Sequence, residues 1–159
     1  MLIETPIGTI PIGDGADVER LMRKRLGIPE RFCDVPTLDA GELRVLKRIK
    51  TYMQSGFGAF LYGIPGCGKT TVATEAFYEQ ALALGGGLWV SHLMLLDAVR
   101  HNLDGDDLER AVEAPIIMLD DFGALKPTEW AQERTFALIS LRYNARALTI
   151  VTSNFQPDV

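Results

Sequence analysis

The sequence predicts an α/β protein in which a parallel sheet carries helices on both faces. Short apolar segments alternate with longer segments whose apolar residues recur every three or four positions, so strands and helices alternate along the chain. One apolar run, residues 116–119, is continuous, as expected for a strand that is buried on both faces. The helical segments between the strands are long enough to serve as the crossovers that parallel strands require.

The predicted elements follow one another without an internal repeat or a low-complexity linker. Residues 1–15 indicate an extended arm or a short hairpin with a turn at 13–15, and residues 16–26 indicate a helix that Gly27 ends. Further helices are predicted over 39–54, 70–84, 93–102, 106–113 and 128–145. Strands are predicted over 57–62, 88–91, 116–120 and 148–152.

Length and composition limit the classes of protein that fit. The chain has 159 residues, enough for one domain with a sizeable core, and its 47% apolar and 23% charged residues are ordinary for a globular protein. The net charge of −5 gives no general attraction to nucleic acid, so any contact with DNA requires a local basic patch. No apolar run is long enough to cross a membrane, and the acidic N-terminus does not resemble a signal peptide. We therefore expect a cytoplasmic protein without a membrane partner.

Two smaller features have an ordinary interpretation. The run Arg23-Lys24-Arg25 could touch nucleic acid, but the solvated face of an amphipathic helix is the favoured interpretation. Cys33 and Cys67 form no disulfide framework, and neither has a ligand-like neighbour for zinc.

The segment 63–70 matches the phosphate-binding P-loop pattern G-x-x-x-x-G-K-[ST], also called Walker A. Its glycines allow several N–H groups to converge on one anion, and the following helix points its positive end at the same phosphates. Lys69 is predicted to contact the β- and γ-phosphates, and the Thr70 hydroxyl is predicted to bind magnesium. The predicted nucleotide-binding residues are Gly63, Ile64, Pro65, Gly66, Cys67, Gly68, Lys69, Thr70 and Thr71.

Polar residues follow two of the predicted strands. Asp120 and Asp121 end the strand at 116–120, and Asn154 follows the strand at 148–152. Because parallel strands bring their carboxyl ends to one edge of a sheet, these residues should lie beside the P-loop. We expect Asp120 to hold magnesium, Asp121 to orient or deprotonate the attacking water, and Asn154 to sense the γ-phosphate. The predicted cofactors are ATP and Mg²⁺, and Lys69, Asp121 and Asn154 form the predicted catalytic set.

With these elements, the chain resembles the AAA+ ATPases of the DnaC/DnaI helicase-loader group and the closely similar IstB transposition ATPases. The matching segments are residues 27–32, 62–70, 119–123, 142–143 and 149–154. The resemblance implies a P-loop NTPase core of the AAA+ type. It also implies the roles given above for Lys69, Thr70, Asp120, Asp121 and Asn154. Two further residues, Ile28 and Phe32, match a segment that the family places near the adenine.

The resemblance also implies what would follow the matched segments. Family members continue with a fifth strand, an arginine finger for the neighbouring subunit and a helical lid, whereas this sequence ends at Val159. We therefore expect an N-terminal arm and helix over 1–26 and a partial AAA+ core over 27–159, truncated before the fifth strand and lid. Such a core should hydrolyse ATP slowly by itself, and its first strand should form an exposed edge that favours weak self-association.

Several functions share this site. The leading hypothesis is an ATP-driven loader of a replicative helicase, with single-stranded DNA as a modulator; the alternative is an IstB-like helper that delivers a transposase. A small-molecule kinase is disfavoured because acceptor-binding residues and an arginine-bearing lid are missing, and a GTPase because Asn-Lys-x-Asp is missing. A scaffold that binds nucleotide without turnover stays open. Several arginines could contact a neighbouring subunit in a homo-oligomer, but ordinary surface ion pairs explain their presence equally well. They are Arg100, Arg110, Arg134, Arg142 and Arg146.

Overall fold

The computed structural model describes residues 2–5, 8–11, 15–101, 106–124 and 128–157. The chain begins with an antiparallel pair of strands, β1 (Leu2–Thr5) and β2 (Gly8–Pro11), and continues into helix α1 (Gly15–Arg25). The predicted hairpin and first helix are thus confirmed, while residues 13 and 14 of the predicted turn lie outside the described part. A short 3-10 turn at Glu30–Phe32 follows α1.

The remaining elements alternate between helix and strand as the sequence predicts. In chain order they are α2 (Ala40–Gln54), β3 (Ala59–Tyr62), α3 (Lys69–Leu84), β4 (Leu88–Ser91), α4 (His92–His101), α5 (Asp106–Glu113), β5 (Ile116–Phe122), α6 (Glu129–Asn144) and β6 (Leu148–Ser153). Strand β5 extends two residues further than predicted. The additional residues, Asp121 and Phe122, lie beyond its fully buried part.

Strands β3 to β6 form one parallel sheet in the order β3-β6-β5-β4. Side chains alternate between its two faces, so Met118 packs in one hydrophobic cluster with residues of α1, α2 and α3, such as Phe77. Ile117 and Leu119 pack in a second cluster with residues of α4, α5 and α6, such as Leu138. Helices therefore cover both faces, and the predicted fold class is confirmed.

Local signals fix the start and end of the helices around β3. Asp39 caps α2: its carboxylate accepts hydrogen bonds from the Gly41 and Glu42 N–H groups, and the Glu42 side chain accepts one from the Asp39 N–H. This reciprocal arrangement is a capping box. Helix α3 ends at Gly85, which adopts a left-handed conformation (φ 75°) that favours glycine.

The interpretation of Arg23 as part of a solvated face is wrong. Its side chain is 1% exposed and donates two hydrogen bonds to Glu75 of α3, at 2.6 and 2.9 Å, and two to Glu19. Burial by itself would lower the pKa of Arg23, but the carboxylates of Glu75 and Glu19 raise it, so the guanidinium stays charged. The guanidinium also lies over the Tyr78 ring. Arg23 therefore fastens α1 to α3, and Met22 and Leu26 share a hydrophobic cluster with Phe77.

Arg142 is likewise buried and cannot make the subunit contact considered for it. The guanidinium, fully inaccessible to solvent, donates to main-chain carbonyls at the end of α5 and the start of β6 and to one hydroxyl. The acceptors are the carbonyl oxygens of Ala111, Val112, Ala114 and Leu148 and the Thr149 hydroxyl. Burial lowers the pKa of Arg142 to about 10, which leaves it protonated at neutral pH.

Strand β3 lies at an edge of the sheet, as predicted, and β6 is its hydrogen-bonded neighbour. Its aromatic side chains Phe60 and Tyr62 are 43% and 51% exposed. In the described part of the chain, no helix is long and apolar enough to cross a membrane.

Candidate functional site

The predicted P-loop connects β3 to α3 and wraps around the N-terminus of α3. Gly66 and Gly68 adopt left-handed conformations, with φ of 82° and 83°. At Gly68 a side chain would also collide with α2, because an added Cβ would lie 2.3 Å from Glu42 Oε1. Both positions therefore favour glycine for their backbone conformation, and Gly68 favours it for space as well.

Lys69 is the first residue of α3, and its ammonium group lies over the loop. Its Nζ donates to the Ile64 carbonyl oxygen at 2.8 Å and lies 3.8 Å from Cys67 Sγ. An ammonium group has three donors, so this contact leaves donors for phosphate oxygens. The structure thus places Lys69 in the concavity that its predicted role requires. Thr71 follows in the first turn of α3 and is half-buried.

Asp120 lies directly across from the P-loop, at the buried end of β5. The Thr70 hydroxyl donates to Asp120 Oδ1 at 2.8 Å, and the Thr152 hydroxyl on β6 donates to the same oxygen at 2.6 Å. Asp120 is 3% exposed, so these hydroxyls hold the carboxylate in a defined place. The two residues predicted to share a magnesium ion are therefore brought together.

Asp121 lies at an irregularity of β5, where the pairing register with β6 shifts between Leu119 and Phe122. Its backbone is left-handed (φ 54°), a conformation that Asp tolerates better than most residues, and its side chain is exposed where that of Asp120 is buried. Its N–H donates to Thr152 Oγ1 at 3.2 Å, and Asn154 Nδ2 donates to Asp121 Oδ1 at 3.3 Å. The predicted water-activating acid and the predicted sensor are thus neighbours at one sheet edge.

The donor set at Thr70 and Asp120 fits a magnesium ion. Mg²⁺ prefers oxygen ligands, keeps several waters and binds one or two carboxylates together with phosphate oxygens. An all-protein cage is therefore not required. Among the described residues, no cluster of three or more His, Cys, Asp or Glu side chains is arranged to hold a metal ion.

A groove of about 680 Å³ runs beside the P-loop between α2 and the edge strand β3. Gly68 and Lys69 line it on one side and Glu42 of α2 lines it on the other. The predicted adenine neighbours do not line this groove. Ile28 is 3% exposed within the core, and Phe32 packs against Trp89 with ring centroids 6.4 Å apart. Their place near an adenine stays a prediction.

A second, mostly apolar cavity of about 630 Å³ opens beside Asp121, between α4 and α6. His92 contributes to it: its ring stacks on Phe122 with centroids 4.5 Å apart, and its Nε2 lies 2.8 Å from Thr135 Oγ1. Burial lowers the pKa of His92, so the ring is neutral at pH 7. Asp121 therefore lies between the P-loop edge of the sheet and an apolar cavity.

Thr152 is a site residue that the sequence analysis missed as such. Its hydroxyl donates to Asp120 and accepts from the Asp121 N–H, so one side chain positions both acids. The signal was present in the sequence of β6, where Thr152 follows the apolar pair Ile150 and Val151 toward the end of the strand. Its meaning depends on β6 being the neighbour of β5, in a register that pairs Leu119 with Val151.

A parallel sheet with a P-loop at the end of one strand and an acid at the end of another is the core of a P-loop protein. No protein-family model matches the chain. Among curated proteins, it is similar to the replicative helicase loader DnaI of Bacillus subtilis (strain 168), with 26% identity over 138 residues. This similarity covers 80% of the chain but 44% of the relative, so the chain spans less than half of the relative's length.

Solved structures give the same assignment. A DnaC helicase loader superposes with a TM-score of 0.70 at 23% identity, covering 82% of each chain. A DnaI structure gives a TM-score of 0.62 at 26% identity, covering 77% of this chain and 70% of the other. AMPPCP-bound DnaA from Aquifex aeolicus gives 0.62 at 19% identity, covering 76% and 40%. The predicted resemblance to the DnaC/DnaI group of AAA+ proteins is therefore confirmed. None of these proteins is a transposition ATPase.

Proposed function

We propose that the chain is the ATP-binding and ATP-hydrolysing core of a loader that acts on a replicative DNA helicase. The observation that carries this proposal is the 2.8 Å hydrogen bond between Thr70 of the P-loop and Asp120 of β5. It joins a phosphate cradle to an acid on another strand of the same sheet, as a magnesium-dependent nucleotide site requires. The similarity to DnaI and DnaC supports the helicase loader over other AAA+ functions.

Each residue has a task that its position allows. The P-loop N–H groups and Lys69 would bind the phosphates, while Thr70 and Asp120 would hold Mg²⁺. The ion, when bound, neutralises negative charge that develops during phosphoryl transfer. Asp121 would hold and orient the attacking water, and the Asn154 amide would keep the Asp121 carboxylate turned toward it.

We expect hydrolysis by this chain alone to be slow. An arginine that stabilises the transition state is worth about 10³–10⁵ in rate where enzymes use one. Three of the five arginines considered earlier are engaged elsewhere: Arg142 is buried, Arg100 lies over Trp130, and Arg110 pairs with Asp107. Within the described residues, no arginine hydrogen-bonds to the P-loop or to the acids of β5. A neighbouring subunit or partner would supply the missing charge.

Lys69→Ala should weaken MgATP binding by about tenfold or more, because charge-assisted hydrogen bonds are each worth roughly 1.5–3 kcal/mol. Isothermal titration calorimetry measures the affinity directly. Lys47→Ala removes an exposed lysine from α2 outside the P-loop groove and serves as the matched control. Equal affinities for wild type and Lys69→Ala would remove the P-loop from the proposed function.

Co-purification with a replicative helicase, with and without MgATP and single-stranded DNA, tests the proposed partner. We expect the wild-type protein to retain the helicase in a nucleotide-dependent manner and Lys69→Ala to lose that dependence. Retention of a transposase instead of the helicase would favour the IstB-like alternative.

A further inference from the structure

A carboxylate lies against the phosphate loop. Glu42 Oε2 accepts a hydrogen bond from the Asp39 N–H at 2.9 Å, which directs Oε1 toward Gly68. The contact is close enough that a Cβ on Gly68 would lie 2.3 Å from that oxygen. Glu42 also lines the groove that contains Lys69. One negative charge therefore borders the cradle in which the phosphates would be held.

The fold keeps Glu42 in this place. Its carboxylate belongs to the capping box of α2, in which Asp39 Oδ1 accepts from the Gly41 and Glu42 N–H groups at 2.7 and 2.8 Å. The N-terminus of a helix stabilises a negative charge, so α2 holds the carboxylate against the loop. Because Gly68 has no side chain, the Glu42 carboxylate can lie where a Cβ would otherwise be too close.

We propose that Glu42 is a specificity-determining residue of the nucleotide site, which lowers the preference for ATP over ADP by repelling phosphate charge. The proposal rests on the proposed function, because it requires that the P-loop binds these nucleotides. MgATP carries one more negative charge than MgADP, so a fixed carboxylate beside the cradle opposes ATP more strongly. Lys69 supplies attraction, together with Arg44 and Arg48 of the same groove, and Glu42 opposes it.

A purely structural role for Glu42 predicts different behaviour. If Glu42 only caps α2, its charge should have no effect on nucleotide affinity. Glu42→Gln separates the two roles, because its amide oxygen can still accept from the Asp39 N–H while the charge is lost. Glu42→Ala removes both the cap and the charge, and it should lower the melting temperature, which Glu42→Gln should leave near the wild-type value.

The decisive measurement is the affinity of wild type and Glu42→Gln for MgATP and MgADP by calorimetry. We expect Glu42→Gln to bind MgATP about three- to tenfold more tightly, with a smaller gain for MgADP. The gain should shrink between about 0.1 M and about 1 M salt, where the Debye length falls from about 10 Å to about 3 Å. Glu133→Gln, which neutralises an exposed acid on α6, should change neither affinity.

The outcomes distinguish the inference from the function on which it rests. Unchanged or weaker MgATP binding by Glu42→Gln, or an equal gain for both nucleotides, would overturn the role of Glu42 alone. Failure of the wild-type protein to bind MgATP would overturn the proposed function and the inference together.

Discussion

Asp121→Asn is expected to retain MgATP and to hydrolyse it about 10²–10⁴-fold more slowly than wild type, the range that general acid–base catalysis contributes. Asp121 is exposed at the end of β5, where it can reach a water, and the amide of Asn154 donates to its carboxylate. Asparagine keeps the size of the side chain but cannot accept a proton. Single-turnover phosphate release measures the rate, and calorimetry measures the affinity of the same variant.

Two further variants show whether the effect is specific to Asp121 and to catalysis. Asp97→Asn changes an exposed acid that lines the same cavity as Asp121, and it should leave the rate unchanged. Asp120→Asn should instead weaken the magnesium-dependent part of binding, because Asp120 lies beside Thr70. If Asp121→Asn loses MgATP while Asp120→Asn keeps it, the roles assigned to the two acids are reversed.

Arg142→Met is expected to destabilise the protein by at least about 3 kcal/mol, because several buried acceptors lose their hydrogen-bond donor at once. The substitution leaves the main-chain carbonyls around Arg142 without their donor, and each unsatisfied buried group costs about 1–3 kcal/mol. For a chain of this size, we expect the midpoint of thermal unfolding to fall by about 10 °C.

The comparison with Arg134→Met makes this test specific. Arg134 lies on the same helix but is exposed, so its loss should change the midpoint little. Arg142→Lys should not restore stability, since a single ammonium group cannot satisfy the acceptors that a planar guanidinium reaches. A midpoint for Arg142→Met close to that of wild type would show that the buried network contributes little.

The parts of the fold that were predictable are those encoded locally. The continuous apolar run before Asp120 predicts a strand covered on both faces, and the P-loop pattern predicts a strand before it and a helix after it. Since parallel strands end at one edge, the meeting of Thr70 and Asp120 follows from these elements. The hydrogen bond between Asn154 and Asp121 follows from the same reasoning.

The features that escaped prediction depend on partners distant in sequence. Arg23 has the same local signal as an exposed arginine, and only the approach of Glu75 makes its burial favourable. The burial of Arg142 likewise depends on acceptors distant in sequence, such as the Ala111 carbonyl oxygen of α5, which only the fold brings near. The contact of Glu42 with Gly68 also arises from packing, because a capping box by itself indicates a helix start and no neighbour beyond it.

The position of β6 has a consequence for the order of events during synthesis. The P-loop strand β3 pairs with β6, which is the last of the described strands in sequence and lies between β3 and β5. At about 5–20 residues per second, the ribosome completes β6 several seconds after β3. Until then the strand that leads into the phosphate loop has no neighbour, and neither does the edge of β5 that Thr152 will approach. On the proposed function, a nucleotide would therefore act on a sheet in which β6 is already in place between β3 and β5.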